Sequence, residues 1–436
     1  MFKKLLLLVV FVFGSSALAS VKLDLKVEKY KLKNGLTVLL HQDLTVPVVS
    51  FHQWYRVGSR NEKKGRTGLA HFFEHLMFKG TTKYSGADFE RLVKLNGGSN
   101  NAFTSFDYTG YYVNLPSGQI EKILDMESDR MQNLLFDPKT IKSEREVVKE
   151  ERRYRVENSV QGYMREALFS TLFKVHPYTW PVIGSMVDLN AATIADLKEF
   201  YKIYYAPNNS VLVLAGNFNI PNVKKLIKKY YGGIPAQKLP EVNLPQEPDQ
   251  LAVRTKKLKK DVQNPSFYVA YKTAAAGTAD SYVLDIMSSI LGGGETSRLY
   301  QRLVYKGQIA TQTFSYSYTP KDPGVFAVFA SVKSKKYLKR NKQIVMEEIN
   351  KLKKKKVTDK ELERAKNQFM KSYVDTLQTV SSKAQTLALN EILFGDYTEF
   401  LKDLSKYNKV TKEDIIRVAN KYFKKQRSVY VEVTKK

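Results

Sequence analysis

The sequence predicts an α+β protein made of two homologous units, each an antiparallel-rich sheet packed with helices. Three observations lead there. The chain has 436 residues, and at about 100–200 residues per domain that length suits two or three domains. Pro235, Pro240, Pro245 and Pro248 crowd one polar stretch near the middle, which reads as a linker. The segments on either side then recur in the same order. "NPSFYVAYKT" echoes "VPVVSFHQWYRVG", and "DSYVLDIMSSILGGG" takes the place of "TGLAHFFEHLMF". "TKEDIIRVANKYFKKQRSVYVEV" repeats the pattern of "TIADLKEFYKIYYAPNNSVLVLAG": threonine, acidic residue, helix, aromatic pair, strand. The predicted divisions are a leader at 1–19, a first unit at 20–235, a linker and start of the second half at 236–262, and a second unit at 263–436.

The elements follow from local pattern. Val21 to Ser50 reads as strands, with Asn34-Gly35 as a hairpin turn between apolar runs. "VVSFHQWYRVG" is a further strand. "TGLAHFFEHLMF" has helical spacing, with Thr67 as the expected N-cap. "GADFERLVKLNGG" is a helix stopped by Gly97-Gly98. "NAFTSFDYTGYYVNLP" is aromatic and β-branched, hence strand. Gly118 to Val156 is helical with a break at Asp137-Pro138, followed by a helix in "ATIADLKEFYKIYY" and a strand in "NNSVLVLAGNF". The pairs Gly97-Gly98 and Gly232-Gly233 and the triplet Gly292 to Gly294 lack the Lys-Ser/Thr ending of a phosphate loop and read as turns and helix ends.

Composition excludes several chemistries. With no cysteine, the chain has no disulfide, thiolate zinc site, cysteine nucleophile or lipid attachment through Cys, so a metal must be held by His and carboxylate. The net charge of +28 raises a polyanion-binding reading. Its lysines are spread along the whole chain, however. The densest run, Lys353 to Lys356, falls in an expected amphipathic helix near Glu347, Glu348, Glu361 and Glu363. Lys3 and Lys4, the apolar run Leu5 to Phe13 and the small residues ending Ala17-Leu18-Ala19 form a secretory leader pattern, with cleavage expected after Ala19. Export, most simply to a bacterial periplasm or else by secretion, removes the chain from the cytoplasmic nucleic-acid pool, and nucleic acid is not an expected partner. No later segment reaches a continuous apolar 18-mer, so no transmembrane segment is expected in the mature chain.

The sharpest signal is "HFFEH". Only five histidines are present, His41, His52, His71, His75 and His176, and two of them stand four apart here. On a helix, residues four apart share a face, so both imidazoles can reach one ion, with Glu74 on the same side. A catalytic zinc takes three protein ligands, and a carboxylate outside that set can accept a water proton. His41, His52 and His176 read as ordinary histidines. The third ligand is sought in the acidic helix "SEREVVKEERR", where spacing alone leaves Glu144, Glu146, Glu150 and Glu151 open.

"GLAHFFEHLMFKGT" resembles the inverted zinc motif of the M16 metallopeptidases, the group of pitrilysin, insulin-degrading enzyme and mitochondrial processing peptidase. "NNAFTSFDYTGYY", "SEREVVKEERR", "HPYTWPVIG", "FYKIYYAPNNSVLVLAGN" and "GGGETSRLYQRL" are similar to family patterns in the same order, so the likeness spans nearly all of the mature chain, in the short-chain branch. The resemblance implies two clam-like halves closing around a peptide and one Zn2+ per chain. His71 and His75 become ligands and Glu74 the general base. The pattern Glu-Arg-x-Val-x-x-x-Glu runs from Glu144 to Glu151, which makes Glu151 the third ligand and Glu144 a supporting carboxylate. Asn101, Ala102 and Phe103 match the edge strand on which such enzymes lay substrate.

One departure bears on assembly. Family members active alone or as homodimers carry an Arg and a Tyr in a second-half stretch that corresponds to "LVYKGQIAT", where this chain has Val304 and Thr311. The resemblance therefore implies the metal-bearing subunit of a heterodimer whose homologous partner supplies the pair, with a homodimer as the other arrangement. Tyr305, Tyr316 and Tyr318 are the in-chain candidates to compensate. The alternative functions are a non-catalytic scaffold subunit of the same family and a polyanion-binding protein.

Overall fold

A computed structural model describes residues 25–436. The expected leader lies outside the described residues. The first half contributes strands β1 (Glu28–Lys31), β2 (Thr37–Gln42), β3 (Val48–Tyr55), β4 (Ser99–Thr104), β5 (Thr109–Pro116) and β6 (Ser210–Gly216). Its helices are α1 (Leu69–Leu76), α2 (Gly86–Leu95), α3 (Ile120–Gln132), α4 (Pro138–Arg152), α5 (Val160–Leu172), α6 (Met186–Ala191), α7 (Ile194–Tyr204) and α8 (Ile220–Tyr231). The second half contributes β7 (Arg254–Lys259), β8 (Ser266–Lys272), β9 (Ala310–Tyr318), β10 (Val325–Val332) and β11 (Val429–Thr434). Its helices are α9 (Ala279–Gly292), α10 (Leu338–Lys354), α11 (Asp359–Asp375), α12 (Val380–Phe394), α13 (Glu399–Lys409) and α14 (Lys412–Tyr422).

The two sheets show the duplication directly. The first runs β1-β2-β6-β3-β5-β4 and the second β7-β11-β8-β10-β9. Each has one parallel pair in the same place, β2 with β6 and β7 with β11, and every other pairing is antiparallel. β9 is thus the second-half counterpart of β4, and both stand at a sheet edge. The weak residue-level echo between the halves therefore corresponds to one repeated topology, an α+β chain with two homologous units.

Three local expectations change. "NAFTSFDYTGYYVNLP" is two strands, because Ser105 Oγ accepts the backbone N–H groups of Asp107 and Tyr108 and folds β4 onto β5. Thr67 does not cap α1: the N-cap is Gly68 at φ 92°, and Thr67 instead donates its hydroxyl to Asp188. Lys355 and Lys356 lie beyond α10, which ends at Lys354. The prolines keep the stretch from Ile234 to Val253 free of helix and strand, and Glu247 pins it by accepting the N–H groups of Lys174, Val175 and His176.

Each sheet is covered on one face by a helix of the other half. Ala384, Leu387, Ala388 and Ile392 of α12 pack on Leu39, Trp54, Val211 and Val213 of the first sheet. Met164, Leu168 and Leu172 of α5 pack on Tyr268, Ala270, Val429 and Val431 of the second. The other face of each sheet is covered by helices of its own half. β6, "SVLVLAG", is buried along its whole length, because both of its faces are covered. No helix of the described residues is long and apolar enough to cross a membrane.

Candidate metal centre and peptide cleft

The centre is built where α1 crosses α4. α1 needs an anchor at its start, since Gly68 has no side chain to cap it. Glu62 provides one: its carboxylate accepts the N–H groups of Gly68 at 2.8 Å and Ala70 at 2.9 Å. Burial pushes that carboxyl well above the usual carboxylate range. Gly68 could not be replaced cheaply, because a Cβ there would stand 2.7 Å from the Ile183 carbonyl oxygen.

α1 presents His71 and His75 together, with ring centroids 4.9 Å apart. α4 brings Glu151 to the same point, with Oε2 3.1 Å from His75 Nε2 and 3.6 Å from His71 Nε2. One donor atom from each of the three lies within 4.8 Å of the others, the only such group among the described residues. Glu144, seven residues before Glu151, takes the other ring nitrogen of His75 at 2.9 Å. The spacing of seven puts both carboxylates on one face of α4. Glu146 and Glu150 point outward to Lys149 and Arg153. The four carboxylates left open by spacing are thereby separated, two inward and two in solvent.

Electrostatics favour a cation here. Burial and the neighbouring His75 lower the His71 pKa to about 4, so this ring offers a lone pair at neutral pH. Burial also works against the proton of His75, but hydrogen bonds to Glu144 and Glu151 outweigh it and raise that ring to about 9. Glu151 is held below its ordinary value, chiefly by its bond to His75. Two imidazoles and one carboxylate form a donor set that zinc accepts at catalytic sites. With Nδ1–H of His75 given to Glu144, its Nε2 becomes the ligand atom once a metal ion takes the place of the proton it shares with Glu151, and Nδ1 of His71 is buried with no hydrogen-bond partner.

Glu74 sits on α1 between the histidines, and Thr104 of β4 donates its hydroxyl to Oε2 at 2.7 Å. Burial raises the Glu74 pKa. β4 pairs with β5 alone, so its outer edge has no strand partner. Within it, Asn101 Oδ1 accepts the N–H of Ala102 at 2.9 Å, Ala102 is buried, and Phe103 packs edge-on to Trp54 at 4.9 Å. Glu62 and Thr104 escape sequence reasoning. Glu62 lies six residues before Gly68, outside any capping pattern, whereas strand alternation from Ala102 would have placed Thr104 toward α1.

From the metal centre a cleft of about 1060 Å3 opens between the halves. His71, Thr104 and Trp180 line it from one side, and Tyr268, Tyr316 and Tyr318 from the other. Of the compensating tyrosines expected from sequence, Tyr316 and Tyr318 reach this wall. Tyr305 is exposed and is not part of it. Val304 packs on the second-half core, and Thr311 donates to the Ser331 carbonyl, so neither faces the cleft. Arg298 is committed to Glu361 at 2.6 and 2.9 Å. His41, His52 and His176 are all buried away from the centre.

Residues 37–185 match the family model described as insulinase (peptidase family M16), and residues 191–369 match the model of the peptidase M16 inactive domain. The zinc protease PqqE of Helicobacter pylori is 34% identical over 418 residues, covering 93% of this chain and 92% of that protein. A probable mitochondrial-processing peptidase subunit beta of Arabidopsis thaliana is 28% identical over 402 residues, covering 90% and 75%. Among solved structures, a protease from Helicobacter pylori matches with a TM-score of 0.89 at 32% identity, covering 94% of this chain and 99% of that one. A peptidase M16 inactive domain from Pseudomonas fluorescens shares the fold, with a TM-score of 0.85 at 17% identity over 94% and 98%. By descent as well as by architecture, this chain belongs to peptidase family M16.

Proposed function

We propose that the chain is an exported zinc-dependent endopeptidase, or oligopeptidase, acting on peptides or unfolded segments laid along β4. The observation that carries this reading is the convergence of His71, His75 and Glu151 on one point, with Glu74 on the same helix beside them. Zinc held by these three residues would supply a lowered pKa to its water and polarise a peptide carbonyl. Glu74 then accepts the proton of the attacking water and passes it to the leaving amine. Thr104 fixes the Glu74 carboxylate from the strand side, which keeps its proton-accepting oxygen at the end of β4. The free edge of β4 takes substrate as an added strand, so binding runs through backbone hydrogen bonds.

Two finer features belong to the same reading. The leader pattern before residue 20 supports export to a periplasm. Val304 and Thr311, turned away from the cleft, support a heterodimer in which a homologous partner supplies the missing Arg and Tyr. The same two positions, together with the match of residues 191–369 to an inactive-domain model, favour a second reading as a non-catalytic scaffold subunit.

The test is zinc content and peptide hydrolysis of the purified mature chain, beside Glu74→Gln. Zinc bound, with hydrolysis lost in the variant, supports a self-sufficient peptidase and removes the partner. Zinc bound without hydrolysis supports the split site, and activity gained on adding the homologous subunit would secure it. A chain that binds no zinc would return the weight to the scaffold.

A further inference from the structure

The cleft contains several charged side chains beyond the metal ligands, and all but one are engaged. Arg155 is held by Glu151 at 2.8 Å. Glu166 is held by both terminal nitrogens of Arg152, each at 3.0 Å. Arg165 also lines the cleft, but it makes no hydrogen bond or ion pair with any of the described residues. It stands on α5, which belongs to the first half but lies across the sheet of the second.

The placement is enforced by the backbone. A π-helical turn, Arg153–Glu157, follows α4, and α5 begins at Val160 after Asn158 and the N-cap Ser159. Gly162 lets α5 lie against that turn: a Cβ there would stand 2.0 Å from the Arg155 carbonyl oxygen. The chain thus comes back over the cleft at residue 162, and Arg165 follows one turn later.

Facing it are tyrosines of the second half. Tyr268 comes from β8, and Tyr316 and Tyr318 alternate along one face of β9. None of their hydroxyls is bonded to a described residue, and none is a fully buried orphan, so they open to the cleft. Burial raises all three pKa values, Tyr268 to about 12, and the Arg165 charge only partly offsets it. They are therefore hydrogen-bond donors at neutral pH. A guanidinium and phenolic donors, with no free carboxylate among them, make a receptor for a carboxylate.

We propose that Arg165, with Tyr268 and Tyr316, forms a substrate-selecting subsite that takes a carboxylate of the bound peptide, an Asp or Glu side chain or the peptide's free C-terminus. The inference rests on the reading of the cleft as a peptide site and adds the class of peptide it prefers. Arg165 is a binding residue here, separate from the proton chemistry of Glu74.

The experiment measures binding of fluorescently labelled peptides to the metal-free full mature chain, so that it does not depend on hydrolysis. Four peptides of one sequence are compared: Glu against Gln at one position, each with a free or an amidated C-terminus. The expected result is a roughly 10- to 100-fold preference for one carboxylate over its amide. The Glu/Gln pair reports the side chain, and the acid/amide pair reports the terminus. In Arg165→Met the preference falls below about threefold, and in Arg165→Lys it is intermediate, because a point charge replaces the fork. Equal wild-type affinity for all four peptides would overturn the subsite, as would a preference that survives Arg165→Met. Selective binding without hydrolysis in the zinc-loaded chain would refute the self-sufficient peptidase and leave the subsite standing.

Discussion

His75 Nδ1 lies 2.9 Å from Glu144 Oε1, and Lys79 Nζ closes on the other oxygen of that carboxylate at 2.6 Å. The carboxylate sets which nitrogen of His75 carries the proton, and the lysine sets how the carboxylate stands. Groups that orient a ligand in this way cost about 10- to 100-fold in metal affinity when removed. Glu144→Ala should therefore weaken zinc binding by that factor while leaving the fold intact. Competition against a chelator of known strength reads the change, and undiminished affinity would show that the contact does not orient the ring.

Thr104 reaches Glu74 from another element of the fold, with its hydroxyl 2.7 Å from Oε2. A hydrogen bond to a charged group is worth about 1.5–3 kcal/mol. Thr104→Val should lower kcat at least roughly tenfold with zinc content unchanged. A rise in KM alone, with kcat preserved, would place Thr104 in substrate binding rather than in positioning the base.

Stability should fall in mild acid because of His52. The ring is buried in β3, with Trp54 Nε1 donating to its Nδ1 and Ser50 at its Nε2. Burial lowers its pKa from 6.5 to about 3. The fold therefore keeps the ring neutral, while the unfolded chain takes up a proton below about pH 6.5. The contribution of the neutral ring is complete above that pH and is lost as pH falls toward 3, by about 2 kcal/mol between pH 7 and 5. Denaturant unfolding of wild type and His52→Gln at both pH values checks this: the wild type should lose more.

Leu387 belongs to the second half, yet it is fully buried against the first sheet. Leu387→Ala should cost about 2–5 kcal/mol, as buried leucines do. The distinctive readout is local. Hydrogen exchange should quicken in β3 and β6, which are distant in sequence, and an effect confined to α12 would refute the packing.

The metal pair was legible because a helix turns four-residue spacing into adjacency, and zinc chemistry then gives that adjacency a meaning. Four candidate glutamates remained open on spacing alone. The structure separates them because Glu144 and Glu151 face α1, while Glu146 and Glu150 face solvent and pair with Lys149 and Arg153. The order of strands was legible from apolar runs. The turn that splits β4 from β5 was not, since it is made by Ser105 without glycine or proline. Glu62 was invisible because its bond to α1 is made through a loop rather than a repeat. α12 and α5 were not picked out from the sequence, because each is covered on more than one side and so lacks a clean polar face, and periodicity says only that a face is covered and not which half covers it.

That exchange of helices bears on how the molecule comes into being. The face of β2, β3 and β6 that α12 covers is strongly apolar, and α12 is among the last elements of the chain to be synthesised. A nascent first half therefore carries an unfinished surface until the ribosome nears the end of the message. The halves look like modules, but they mature as one object. A protease cut in the proline-rich connection should leave two fragments that stay together, and neither fragment made alone should be soluble.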